Sequence, residues 1–210
     1  TGYVGLVTGA SLANLGHEVL CVDVDEEKVQ LLNEGKIPFF EPGLQELVEV
    51  NFAKKRLFFT SDVKKGVDFS AVIFNCVGTP QQKDGSANLF YVFSVAQTVA
   101  QFSSGHKILI NKSTVPPGTA KKCSLLINEF RKKNVKINNI NINIEVVSNP
   151  EFLKQGSADY DFNNPDKIVN RSESSEAIEL VKKIYHGLVN DRLVVETNLE
   201  TAEMIKYANN

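Results

Sequence analysis

The chain has 210 residues, 42% hydrophobic and 23% charged, with a formal net charge of −2, the proportions of an ordinary globular protein of one large domain, or one domain and part of another. The balanced charge gives no electrostatic reason to expect nucleic acid or an anionic membrane surface as partner, and no apolar run approaches the roughly 20 residues that span a bilayer. Cys21, Cys76 and Cys123 lie far apart without metal-ligand spacing, so no metal site is expected, and they read as reduced core thiols of a cytoplasmic protein.

The first residues, T-G-Y-V-G, run straight into a helical pattern over Val4–Leu15, with no basic leader and no cleavage pattern of a signal peptide. Gly2 and Gly5 have the spacing of the second and third glycines of the dinucleotide-binding fingerprint. Around Gly2, Tyr3, Val4 and Gly5, unpaired N–H groups at the helix start would face a pyrophosphate. The fingerprint's first glycine and the strand before it are not in the sequence, so the chain is expected to be cut short there, with a central strand missing.

A strand follows over Glu18–Asp23, and Asp23 stands where the fingerprint expects an acid for the ribose hydroxyls. A carboxylate there would repel a 2′-phosphate, which favours NAD over NADP. Asp25 can cap the next helix, Glu26–Glu34, and a further helix is expected over Gly43–Val48. Strands at Leu57–Thr60, Ala71–Val77, Lys107–Asn111, Ile144–Ser148, Lys167–Val169 and Arg192–Glu196 alternate with helices at Leu89–Gln101, Gly118–Lys133, Ser174–His186 and from Leu199 onward. Cys123, Leu126, Ile127 and Phe130 form one apolar stripe at helical steps. The Pro116-Pro117-Gly118 step marks a loop, and 132–143 reads as loop with an undecided strand entry. Nearly continuous apolar strands between helices predict an α/β fold, a doubly wound parallel sheet of the Rossmann type.

Six segments in one order carry a resemblance: GYVGLVTGASLANLGHEVLCVDVDEEKV, EPGL at Glu41–Leu44, VGTP at Val77–Pro80, NKSTVPPGTA at Asn111–Ala120, SNPEFLKQGSA at Ser148–Ala158 and AEMIKY at Ala202–Tyr207. Together they resemble the UDP-glucose 6-dehydrogenase family over essentially the whole chain. The resemblance implies an NAD-dependent enzyme that oxidises the 6-hydroxymethyl group of UDP-glucose to a carboxylate, reducing two NAD and passing through an aldehyde and a cysteine thioester. It also implies a homodimer or higher oligomer. Residues 1–197 would be the NAD-binding domain and 198–210 the start of a connecting, dimer-forming helix, with the sugar-nucleotide domain absent.

The resemblance assigns roles residue by residue. Lys28 would be a second ribose contact and Thr79 a cofactor contact. Thr114 would touch the cofactor and orient the water that hydrolyses the thioester. Glu151 would be the acid–base group, with Phe152, Leu153 and Lys154 beside it against the sugar nucleotide. Gln155 joins the cofactor contacts, although relatives often carry Glu or Arg there. Lys206 and Asn210, four apart on a helix and so on one face, would bind substrate and stabilise a developing oxyanion; Asn209 stands where the family usually has alanine.

None of the three cysteines matches the context of the family's nucleophile, so the chain alone is not expected to complete the reaction. A GDP-mannose 6-dehydrogenase, an enzyme for N-acetylated sugars and a non-catalytic NAD-binding module are the competing readings.

Overall fold

A computed structural model describes residues 1–133, 142–188 and 194–209. In chain order the elements are α1 (Tyr3–Asn14), β1 (Val19–Val22), α2 (Glu26–Asn33), α3 (Leu44–Ala53), β2 (Leu57–Thr60), α4 (Val63–Phe69), β3 (Val72–Asn75) and α5 (Phe90–Phe102). There follow β4 (Lys107–Asn111), α6 (Thr119–Lys133), β5 (Ile144–Ser148), α7 (Ala158–Asn163), β6 (Ile168–Asn170), α8 (Ser175–Ile184), β7 (Val194–Glu196) and α9 (Leu199–Ala208). All pairings between these strands are parallel, which gives the Rossmann-like α/β architecture expected. Most of the 132–143 loop, together with Arg192 and Leu193 of the last predicted strand, lies outside the described residues.

Local chemistry sets the element boundaries. The carboxylates of Asp25 and Asp62 accept N–H bonds from Lys28 and Lys65 and so cap α2 and α4; Ser174 and Asn198 do the same for α8 and α9. At the far end of α4, buried Lys107 donates to the carbonyls of Val67 and Ser70 at 2.6 and 2.7 Å, using its ammonium on two otherwise unpaired acceptors. The helices α4 and α7 were not among the predicted elements. α7 has only six residues, and α4 carries Gly66 at its centre, which hides its period.

Gly66 is there because α4 crosses β1 closely: a Cβ at this position would run into a methyl group of Val22. Val22 is β-branched and stiff about χ1, so the overlap cannot be relieved by a simple rotation. Gly66→Ala is expected to destabilise the fold by about 1–3 kcal/mol, although alanine is the better helix former. The midpoint of denaturant unfolding measures this, and an unchanged midpoint would show that α4 and β1 have room to spare.

Helices cover both faces of the sheet. In β4, Leu109 packs in a cluster with Val92, Ala96 and Cys123 of α5 and α6, while its neighbour Ile110 joins a cluster with Ala177, Val181 and Tyr185 from α8 and its end. Both are fully buried, as strands covered on two sides require. A third cluster gathers α1, β1, α3 and β2.

The strands fall into three patches, β1–β2, β3–β4–β5 and β6–β7. β1 and β3 do not pair, and both line one cavity of about 690 Å³ whose other walls come chiefly from α1, α4 and α5. The side chains of Val19, Leu20, Val72, Ile73 and Phe74 are accordingly only half-buried.

Candidate active site

The helix α1 starts at Gly2 with no side-chain cap and no acid in its first turn, so its leading N–H groups are open to an anion. Nothing lies within 4 Å of a Cβ built on Gly2, whereas one on Gly5 would touch Cβ of Cys76 at 3.4 Å. Gly2 thus leaves room for a ligand, and Gly5 serves helix packing. Gly9, one turn on, is tighter still: its Cβ would meet Sγ of Cys21 at 2.5 Å.

The phenol of Tyr3 turns away from the helix start. Its hydroxyl sits 3.0 Å from Glu41 and 2.9 Å from the carbonyl of Lys154, leaving only its backbone for a phosphate. Val4 continues the same turn as the second residue of α1.

At the carboxyl end of β1, Asp23 accepts from the hydroxyl of Thr1 at 2.7 Å, the N–H of Asp25 at 3.1 Å and Nζ of Lys28 at 3.2 Å. An ionised acceptor at this place suits a diol and opposes a second anion. The residues present therefore fit a dinucleotide: an uncapped helix start over an open glycine, and a carboxylate with a lysine at the end of the next strand.

The remaining candidates leave a common edge. Asn75, Asn111 and Ser148 are in register as the last residues of β3, β4 and β5, so the loops carrying Thr79, Thr114 and Glu151 start at one level. A buried polar row fastens them there. The Asn75 amide donates to Oδ1 of Asn111 at 3.1 Å, and the N–H of Asn149 donates to the Asn111 carbonyl at 2.9 Å. Nζ of Lys112 donates to Asn149 and to the hydroxyl of Tyr185, both at 3.3 Å. The hydroxyl of Thr79 donates to the carbonyl of Thr114 at 2.8 Å, tying the VGTP and STV loops together.

Glu151 meets Lys206 across 3.2 Å, with both side chains about nine-tenths buried. Its second oxygen accepts the N–H of Leu153 at 2.5 Å, which fixes the carboxylate's direction. The ring of Phe152 lies under two ammonium groups, 5.6 Å from Lys206 and 5.1 Å from Lys167. A hollow of about 110 Å³ beside them is lined by Lys112, Asn149, Glu151, Phe152, Lys154 and Asn209, among others. Gln155 is exposed at the loop tip. Asn210 lies outside the described residues. The structure thus unites Glu151, Phe152 and Lys206 in one cluster, Thr79 and Thr114 in a second, and Asp23 and Lys28 in a third.

Sequence reasoning missed the carboxylates that hold this frame. Glu203, 2% exposed, accepts N–H bonds from Gly118 at 2.5 Å and Ala120 at 2.8 Å. It thereby seats α9, and Lys206 one turn further along, on the start of α6; burial pushes its carboxyl up despite those bonds. No local pattern announces such partners, which are more than 80 residues apart in the chain.

Burial raises all three thiols, that of Cys21 to about 12 and those of Cys76 and Cys123 to about 11. They therefore stay protonated and unreactive near neutrality. Among the described residues no group of His, Cys, Asp and Glu is placed to hold a metal, and no helix is long and apolar enough to cross a membrane.

The pattern of the UDP-glucose/GDP-mannose dehydrogenase family, NAD binding domain, matches residues 1–189. The chain is 42% identical over its whole length to 44% of UDP-glucose 6-dehydrogenase TuaD of Bacillus subtilis. It is 44% identical, again over its whole length, to 47% of a UDP-glucose 6-dehydrogenase of Rhizobium meliloti. It therefore spans just under half the length of these relatives. Among solved structures, a UDP-glucose dehydrogenase from Pyrobaculum islandicum superposes with a TM-score of 0.89 at 33% identity, over 99% of this chain and 46% of that one. A GDP-mannose dehydrogenase from Pseudomonas aeruginosa, a ternary complex, gives 0.88 at 35%, over 99% and 47%.

Proposed function

Because the chain belongs to the UDP-glucose/GDP-mannose dehydrogenase family and is its NAD-binding part, we propose that the protein carrying it oxidises UDP-glucose to UDP-glucuronate with NAD. The observation that carries this reading is the buried Glu151–Lys206 pair, held just beyond the carboxyl end of β5, together with Asp23 at the carboxyl end of β1. A module that only bound NAD would have no use for it.

The helix start at Gly2–Gly5 would hold the pyrophosphate, and Asp23 with Lys28 the adenosine ribose; Thr79, Thr114 and Gln155 would line the way to the nicotinamide. When bound, NAD supplies the hydride acceptor for both oxidations. The ammonium of Lys206, joined by Asn210, would offset negative charge on the sugar oxygen. Each oxygen of Glu151 has one lone pair engaged, by Lys206 or by Leu153 N–H, and one left to take a proton from water. Thr114 would orient that water, while Phe152, Leu153 and Lys154 contact the sugar nucleotide.

The thioester must form on a cysteine from outside residues 1–210, since no thiol here is activated, and the chain alone would not turn over. α9 would begin the link to the sugar-nucleotide domain and the homodimer. Three unpaired thiols support a reducing, cytoplasmic setting.

The test is the full-length protein with UDP-glucose or GDP-mannose and either cofactor. UDP-glucose with NAD should yield two NADH per sugar. Faster turnover of GDP-mannose would move the reading to the other branch of the family, for which the Pseudomonas likeness speaks. NADP should be used far less well, because its 2′-phosphate would face Asp23, and Asp23→Ala should narrow that difference. Equal kcat/KM for the two cofactors in the unsubstituted enzyme would rule out this role for Asp23.

A further inference from the structure

Glu41, the acid of EPGL, has no contact role in the chemistry above, yet it is 3% exposed and accepts three hydrogen bonds. Its carboxylate accepts the N–H of Gly156 at 2.9 Å, the N–H of Ala158 at 2.8 Å and the hydroxyl of Tyr3 at 3.0 Å. The same hydroxyl lies 2.9 Å from the Lys154 carbonyl. Burial pushes the Glu41 carboxyl up, but those bonds prevail and hold it below the usual carboxylate range, so it is ionised at neutral pH. A buried carboxylate is tolerated only when its lone pairs are filled. Here two N–H groups of the loop over 154–158 and the hydroxyl of Tyr3 supply three donors, so the carboxylate and the loop hold each other in place.

That loop is the return arm of the segment bearing Glu151. Its outgoing arm is fixed at Asn149, whose amide donates to the Val169 carbonyl at 2.9 Å and to Asn170 at 2.6 Å. Between the anchors, residues 151–154 have no regular structure. Besides the local bond from Leu153 N–H, the path of this segment is set by what holds each end, and at the far end that is Glu41 with Tyr3, together with Asp161, which accepts the N–H of Lys154 at 2.9 Å and the hydroxyl of Ser157 at 3.1 Å.

We propose that Glu41 is a positioning residue for Glu151: by clamping the loop over 154–158 to the start of α1, it holds the Glu151 carboxylate on Lys206. The inference rests on Glu151 being the acid–base group. Glu41→Gln keeps the volume but sets an NH₂ against one of the two loop N–H groups. In the full-length enzyme with UDP-glucose and NAD, it is expected to lower kcat about 10–100-fold, the usual cost of displacing a catalytic group by an ångström or losing a charged hydrogen bond. The NAD dissociation constant, measured by calorimetry, should stay within about twofold. Tyr3→Phe, which deletes only the bridging hydroxyl, should lower kcat by about threefold to tenfold.

Hydrogen exchange at the Gly156 and Ala158 amides should quicken in Glu41→Gln. Val48→Ala in the core of α3 serves as a control for plain destabilisation and should leave kcat unchanged. The proposal is overturned if Glu41→Gln behaves like Val48→Ala at equal loss of Tm, or if NAD affinity falls in step with kcat. Should Glu41→Gln fail to fold, an unchanged kcat in Tyr3→Phe overturns it equally. If the unsubstituted enzyme does not oxidise UDP-glucose, the functional reading fails instead. The amide exchange then still decides whether Glu41 anchors the loop.

Discussion

Glu151→Gln in the full-length enzyme is expected to lower turnover about 10²–10⁴-fold, the usual worth of a positioned acid–base group, and to make a covalent acyl-enzyme accumulate. Glutamine preserves the shape of the side chain and can still accept from Leu153 N–H or face Lys206. It cannot take a proton from water. Oxidation of the alcohol and aldehyde transfers hydrides to NAD and needs no attacking water, whereas thioester hydrolysis does. The loss should therefore fall on the last step. Rapid-quench sampling should show a burst of NADH close to two per active site, with labelled sugar retained on denatured protein. If both hydride transfers slow as much as acid release and no label is retained, the base for hydrolysis lies elsewhere.

A comparably large effect is expected on stability from filling the cavity between β1 and β3. An extended run of about five apolar residues placed ahead of Thr1 would offer backbone partners to two free strand edges. It would also bury its own side chains together with the half-buried Val19, Leu20, Ile73 and Phe74. Each apolar side chain fully buried is worth about 1.5–3 kcal/mol, against a net stability of about 5–15 kcal/mol for a whole domain. At about 2–4 °C per kcal/mol for a chain of this size, Tm should rise by more than about 10 °C and the transition should sharpen. Calorimetry of the 210-residue chain with and without the added segment measures this. A sharp, unchanged transition in both would mean that the gap is already closed by rearrangement in solution.

What could be read from the sequence followed periodicity and punctuation. β2, β4 and β5 run over the residues expected, because short apolar strands between turn residues leave little freedom of register. The strand ends were enough to place Asp23, Thr79 and Thr114 at carboxyl ends, whereas Glu151 could be assigned only from its motif. Long-range polar pairing was not legible. Glu41 and Glu203 look like exposed loop and helix acids, and only folding shows that each is buried against N–H groups far along the chain. Tyr3 was similarly opaque: its place in the fingerprint suggested the cofactor, while its hydroxyl serves the loop over 154–158.

The polar row formed by Asn75, Asn111 and Asn149 has a consequence for anyone redesigning the site. Each loop's starting point is hydrogen-bonded to its neighbour's, so the three loops share one reference frame. Substitutions at two of these asparagines should be epistatic, with coupling energies of about 0.5–3 kcal/mol in a double-mutant cycle, the range found for residues within one hydrogen-bond network. Changes beyond the row at positions that share no hydrogen bond with a neighbouring loop should combine almost additively, unlike Thr79 and Thr114, which are bonded to each other. Libraries aimed at a new sugar are therefore best built on the tips, with the asparagine row left intact as the common datum from which each loop departs.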